Sequence, residues 1–92
     1  MNTLKKASCG TMESSAAYME LEPIEAGTQI ELQSVVEHQF GDSIRALAAE
    51  MLKEEGVENV KLIIVDRGAL ECTRRARLET LIGRAREEAA HA

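Results

Sequence analysis

Aromatic residues are almost missing from this chain. Tyr18 and Phe40 are the only two in 92 residues, and there is no tryptophan. Reading nucleic acid by base stacking needs aromatic platforms, so that class of function is excluded. The core has to be built from Leu, Ile, Val, Met and Ala. A basic excess is missing as well: sixteen acidic residues against eleven basic ones leave a net charge of −5. Proteins that grip phosphate backbones carry the opposite balance. An acidic surface suits solubility and docking on basic surfaces of a partner. Cysteine occurs twice, as Cys9 and Cys72. They lie too far apart for metal-ligand spacing and are too few for a disulfide framework. Two free thiols fit a reducing compartment, so a cytoplasmic location is expected. No run of about 18 apolar residues is present to span a membrane. The start, Met1-Asn2-Thr3-Leu4-Lys5-Lys6, lacks the apolar stretch of a secretory signal.

The catalytic toolkit is equally thin. There is no glycine-rich phosphate loop and no cluster of metal ligands. Nucleophilic catalysis needs a base held by a third group, and the only imidazoles are His38 and His91. His91 stands next to the last residue, and His38 reads as a helix-surface residue. The carboxylates are dispersed, with Glu54-Glu55 and Glu87-Glu88 as solvated helix ends. Cys72 lies near Arg74 and Arg75, which could lower its pKa, but it reads first as a small buried hydrophobe. The expected number of catalytic residues and of metal sites is none. A serine in such a chain is a better covalent attachment point than a nucleophile, and Ser14 and Ser15 are the candidates. Read as structure alone, they are two polar residues on an exposed strand face.

What is present describes one small domain. An apolar fraction of 45% argues against wholesale disorder. Residues 1–9 read as a flexible N-terminal lead and residues 10–92 as a single domain. Thr11–Leu21 alternates in part, as a half-buried strand does, until Pro23 stops it. Glu25-Ala26-Gly27-Thr28 reads as a turn, and Gln29–Gln33 alternates cleanly. The two strands are expected to form a hairpin. Ser34-Val35-Val36-Glu37 fits a capping box that opens a helix. Val36, Phe40, Ile44, Leu47, Ala48, Met51 and Leu52 then make an apolar stripe, which runs through Gly41 and stops at Gly56. Val60–Val65 is a β-branched strand, buried on both faces or nearly so. A second helix, starting between Ala69 and Thr73, carries Leu78, Leu81, Ile82, Ala85 and Ala89. Leu70 and Cys72 could still belong to an edge strand. The fold class is α+β: a small sheet, made of a β-hairpin plus a third strand, packed against two helices in the order β-β-α-β-α. The arginines of the last third, from Arg67 to Arg86, read as a solvated face or as a docking surface.

Three segments occur in order: Gly10-Thr11-Met12-Glu13-Ser14, then Glu37-His38-Gln39-Phe40-Gly41-Asp42 with Ile44-Arg45, then Asp66 to Cys72 with Arg75-Ala76-Arg77-Leu78-Glu79. Together they resemble the acyl carrier (gamma) subunit of bacterial citrate lyase, over Ala7 to Ala85. The resemblance implies a carrier without catalytic residues. It implies that Ser14 bears a phosphoribosyl-dephospho-coenzyme A group through a phosphodiester bond. It further implies a thioester of acetyl or citryl on the arm, partner alpha and beta subunits that cleave citrate to acetate and oxaloacetate within a hetero-oligomer, and a transferase that installs the group. The chain departs from the family where Ala16 replaces an acidic residue two positions after the modified serine. Motif position selects Ser14 over its neighbour Ser15.

Two other functions stay open at this point. Gly41-Asp42-Ser43-Ile44 resembles the Asp-Ser-Leu signature of ordinary phosphopantetheine carriers, which would place an arm on Ser43. Those carriers are all-helical bundles with the serine at a helix start, whereas Ser43 falls inside an apolar stripe flanked by strands. The other alternative is an interaction module without any prosthetic group.

Overall fold

Alternation organises the sheet. In the strand Val60–Asp66 every second residue is buried: Val60, Leu62, Ile64 and Asp66 face inward, while Lys61, Ile63 and Val65 remain half-buried. A pleated strand sends successive side chains to opposite faces, so one face is covered and the other is open. The computed structural model describes residues 5–10, 17–34 and 37–90. The elements are β1 (Ala7–Gly10), β2 (Ala17–Pro23), β3 (Thr28–Ser34), α1 (Glu37–Glu54), β4 (Val60–Asp66) and α2 (Glu71–Ala90). The class is the expected α+β, but the order is β-β-β-α-β-α. The additional strand, β1, takes in Ala7, Ser8 and Cys9 from the stretch read as a lead. Cys9 is buried and pairs with Met19.

The sheet order is β1-β2-β4-β3. The expected hairpin between β2 and β3 does not form, because β4 lies between them. β4 pairs antiparallel with β2 and parallel with β3. Its β-branched run suits a central strand with a neighbour on each side, and α1 supplies the crossover that a parallel pair requires. The link between β2 and β3 straddles the start of β4, where Pro23 and Thr28 both pair with Val60. Asn59 anchors it. Its carbonyl accepts from the Ile24 N–H at 2.9 Å, and its Oδ1 accepts from the Gly27 N–H at 3.0 Å. Asn59 adopts a left-handed φ of 58°, a region that asparagine tolerates better than most residues.

Both helices cover the same face. α2 packs on β1 and β2, and α1 packs on β3. The core joins Met19, Leu21, Leu62 and Ile64 of the sheet to Ile44, Leu47, Met51 and Leu52 of α1 and to Leu78, Leu81, Ile82 and Ala85 of α2. These are members of the helical stripes expected from the sequence; the side chains of Phe40 and Ala89, also expected there, lie outside the described residues. Val36 lies outside the described residues. α1 passes through Gly41 unbroken. It ends in a Schellman arrangement, with Val57 N–H on the Leu52 carbonyl at 2.8 Å, Gly56 N–H on the Lys53 carbonyl at 3.1 Å and Gly56 at φ 66°. The capping box read at Ser34 falls on side chains outside the described residues. Ser34 closes β3 and pairs with Asp66, so the parallel ladder has taken this residue before α1 begins at Glu37. On the open face, Lys6 and Lys61 pair with Glu20 and Glu31 at 3.5 and 3.2 Å. No described helix is long and apolar enough to cross a membrane.

Candidate functional site

The strand registers bring many chain elements to one end of the sheet. Gly10 pairs with Tyr18, Ala17 with Asp66 and Ser34 with Asp66. The end of β1, the start of β2, the end of β4 and the end of β3 therefore stand side by side. α1 and α2 both begin within a few residues of that row. Helix N-termini carry unpaired N–H groups and a partial positive charge, and the first turn of α2 also carries the acidic Glu71.

The link from β1 to β2, residues 11–16, leaves from the same end. Ser14 and Ser15 lie within it, outside the described residues. The two stems of the link are described. Gly10 has φ 97°, and a Cβ built on it would lie 2.0 Å from the Ala17 carbonyl oxygen. Only glycine allows both this backbone conformation and this approach.

The floor under these stems is a buried ion pair. Asp66 is fully buried, and the Arg74 side chain is 12% exposed. Arg74 Nε donates to Asp66 Oδ2 at 2.5 Å, and Nη2 donates to Oδ1 at 3.3 Å. The Gly68 N–H donates to Oδ1 at 2.9 Å. Burial by itself pushes the Asp66 carboxyl up. The Arg74 hydrogen bond, the Gly68 N–H, the Arg74 charge and the Ala69 N–H together outweigh it and hold the group below its ordinary range. The pair fixes the turn between β4 and α2. That turn presents Leu70, whose side chain is 70% exposed and whose carbonyl accepts the N–H of Arg74 at 3.0 Å. Leu70 is therefore the cap residue of α2, not part of an edge strand. Cys72 is exposed in the first turn of α2, not a buried hydrophobe, because it lies opposite the face that carries Leu78 and Ala85.

Neighbouring arginines of α2 are also engaged. Arg84 Nη1 donates to the Ser8 carbonyl at 3.0 Å. Arg86 donates to the Glu55 carboxylate at 2.9 Å and to the Glu55 carbonyl. Arg77 differs: its Nε is sequestered from solvent and has no hydrogen-bond partner among the described residues.

The other candidates are not brought to this assembly as reactive groups. Ser43 is exposed, in the second turn of α1 and not at a helix start. His38 falls in the first turn of α1, and His91 lies outside the described residues. Among the described residues no three His, Cys, Asp or Glu side chains could hold a metal ion. The Asp66–Arg74 pair was not foreseen from sequence. Its signal there is an aspartate closing a β-branched run, two residues before a glycine, with an arginine one helical turn into the following helix.

Comparison with known proteins agrees with this assembly of elements. Residues 4–85 match the family model described as malonate decarboxylase delta subunit (MdcD). The chain is 43% identical over 89 residues to the citrate lyase acyl carrier protein of Escherichia fergusonii, covering 96% of this chain and 92% of the relative. It is 48% identical over 81 residues to that of Edwardsiella ictaluri, covering 86% and 82%. A chain in the crystal structure of a Pseudomonas malonate decarboxylase hetero-tetramer in complex with malonate shares the fold. Its TM-score is 0.77 at 23% identity, covering 88% of this chain and 84% of that one.

Proposed function

The chain belongs to this family of acyl carrier proteins, and on that footing we propose that it is the acyl carrier subunit of a citrate lyase. In this reading Ser14 is the attachment point of a phosphoribosyl-dephospho-coenzyme A arm, joined by a phosphodiester. When bound, the arm supplies a thiol that holds acetyl or citryl as a thioester. The residues of the chain hold and present that arm. Gly10 and Ala17 clamp the two stems of the link that bears Ser14. The Asp66–Arg74 pair keeps the floor beneath the stems rigid. Tethering at Ser14 makes each encounter with a partner site effectively intramolecular. The chemistry belongs to the cofactor and the position to the protein, which accords with a sequence that offers no acid–base or nucleophilic constellation. The complex would cleave citrate to acetate and oxaloacetate on alpha and beta partner subunits, in the cytoplasm, after a separate transferase has loaded Ser14.

The observation that carries this reading is the identity of 48% over 81 residues to a citrate lyase acyl carrier protein. Support for a phosphodiester at this end comes from the converging helix N-termini and from Arg77 Nε, a buried donor without a partner among the described residues. An arm of this type offers anionic acceptors of matching charge. The test is intact-mass and peptide-mapping mass spectrometry of the chain made together with the transferase. The expected result is the added mass of phosphoribosyl-dephospho-coenzyme A on the peptide holding Ser14, and its loss in Ser14→Ala. A phosphopantetheine mass on Ser43, or an unmodified chain in cells fermenting citrate, would overturn the assignment.

A further inference from the structure

Arg77 lies half-buried on the flank of α2 that faces β1. The flank is fixed by Arg84, seven residues on and therefore on the same side of the helix, which donates to the Ser8 carbonyl of β1. Lys5 N–H donates to the Ala85 carbonyl at 3.3 Å, so the chain just before β1 is also held against the last turns of α2. α2 runs away from the end of the sheet where Asp66 sits, and β1 runs toward it. Stepping back from Arg84 to Arg77 covers about 10 Å of helix, which is about three residues of strand. Counted from Ser8, that reaches the point just beyond Gly10 where residues 11–16 begin. Thr73 and Leu70 share the flank with Arg77, one and two turns nearer the helix start.

An arginine held in this way is costly unless something else pairs with it. A sequestered donor without a partner costs about 1–3 kcal/mol. Arg74, Arg84 and Arg86 on the same helix each engage their guanidinium groups in at least one hydrogen bond. The acidic residue of first choice is not in reach: Asp66 is already held by Arg74 and by the Gly68 N–H. An anion at the place where β1 ends would supply the partner that Arg77 Nε lacks. A guanidinium fork matches phosphate oxygens in geometry as well as in charge, and the nearby N-terminus of α2 adds to the same potential.

We propose that Arg77 is the seat of the arm, its Nε–H donating to a phosphate oxygen of the group carried on Ser14. The proposal rests on the carrier reading above. It makes Arg77 a positioning residue that parks the arm along the β1 flank of α2, with Leu70 as an apolar shoulder for the uncharged part of the chain. The parked arm is then released by a partner that offers a better site.

The experiment compares apo and loaded wild-type chain by 15N–1H correlation NMR of the arginine Nε–H groups, with Arg77→Lys used only to assign the Arg77 signal. Mass spectrometry of the same sample reports whether Ser14 is loaded. The expected result is a downfield shift of the Arg77 Hε on loading, with its exchange with water slowed about tenfold, the factor that a charge-assisted hydrogen bond supplies. The Arg84 and Arg86 signals should stay in place. A loaded chain with an unmoved Arg77 signal overturns the seat and leaves the carrier reading standing. A chain that the transferase leaves unloaded overturns the carrier reading, and the seat with it.

Discussion

The two ends of the sheet solve the same problem with different chemistry. At the far end, Asn59 ties the β2–β3 link to the start of β4 with two hydrogen bonds, one from its carbonyl and one from its side chain. Val57 is packed beneath as an apolar plug. Nothing in that arrangement is charged. At the opposite end, where residues 11–16 emerge, the fold buries a carboxylate against an arginine and brings a glycine into contact with a neighbouring carbonyl oxygen. A buried ion pair adds little net stability over apolar packing, but removing one partner is expensive. The far end is built to be closed. The opposite end holds a defined shape through its ion pair and its glycine contact.

The sharpest way to test this contrast is to remove the charge at one end only. Asp66→Asn leaves Arg74 buried without its counter-ion and should destabilise the domain by about 3 kcal/mol, read from urea midpoints. The sign of its pH dependence follows from the lowered carboxyl. The folded value lies below the unfolded value of 3.8, so the contribution of Asp66 is fully present above that value. It is lost as pH falls through the lower, folded-state value. The gap between wild type and Asp66→Asn should therefore be flat near neutrality and narrow only in acid, below about pH 4. A gap that narrows on raising the pH instead would contradict the assigned pairing.

Gly10→Ala is the next largest effect expected. The new Cβ would meet the Ala17 oxygen at 2.0 Å in a left-handed backbone, so the stems must part, at about 2 kcal/mol. On the proposed function, loading of Ser14 should slow as well. Unchanged stability would mean that the stems are not in contact in solution.

The far end should respond less, and without pH dependence between neutrality and acid. Asn59→Ala loses the bond to Gly27 and places alanine at φ 58°, at about 1–2 kcal/mol. Asn59→Gly should recover the backbone part and leave only the lost side-chain bond. Equal losses in the two variants would show that the left-handed backbone contributes nothing at this end.

Much of the layout was legible in the chain. The helical stripes Ile44–Leu52 and Leu78–Ala85 and the strand at Val60 follow from periodicity, since a repeated apolar spacing admits one buried face. The element β1 was not legible, because Ala7-Ser8-Cys9-Gly10 has neither β-branched residues nor alternation. It is a strand because β2 offers it an edge and α2 covers it. The pairing of β4 between β2 and β3 was hidden for a similar reason: sequence neighbours make a hairpin plausible, and nothing local reveals that a later strand will intervene.

The candidate site divides along the same line. The sequence by itself determined that serines at 14 and 15 stand in a motif resembling that of acyl carriers, and that two helices and a small sheet would form. These depend on residue type and spacing, which are local. Only the tertiary structure decided that Gly10, Ala17, Asp66 and the starts of both helices share one end of the molecule. It also decided that Asp66 spends its charge on Arg74 and that Arg77 is left without a partner among the described residues. Those outcomes depend on register and burial, and a pairing between residues eight or 76 positions apart exists only once the sheet has closed around it.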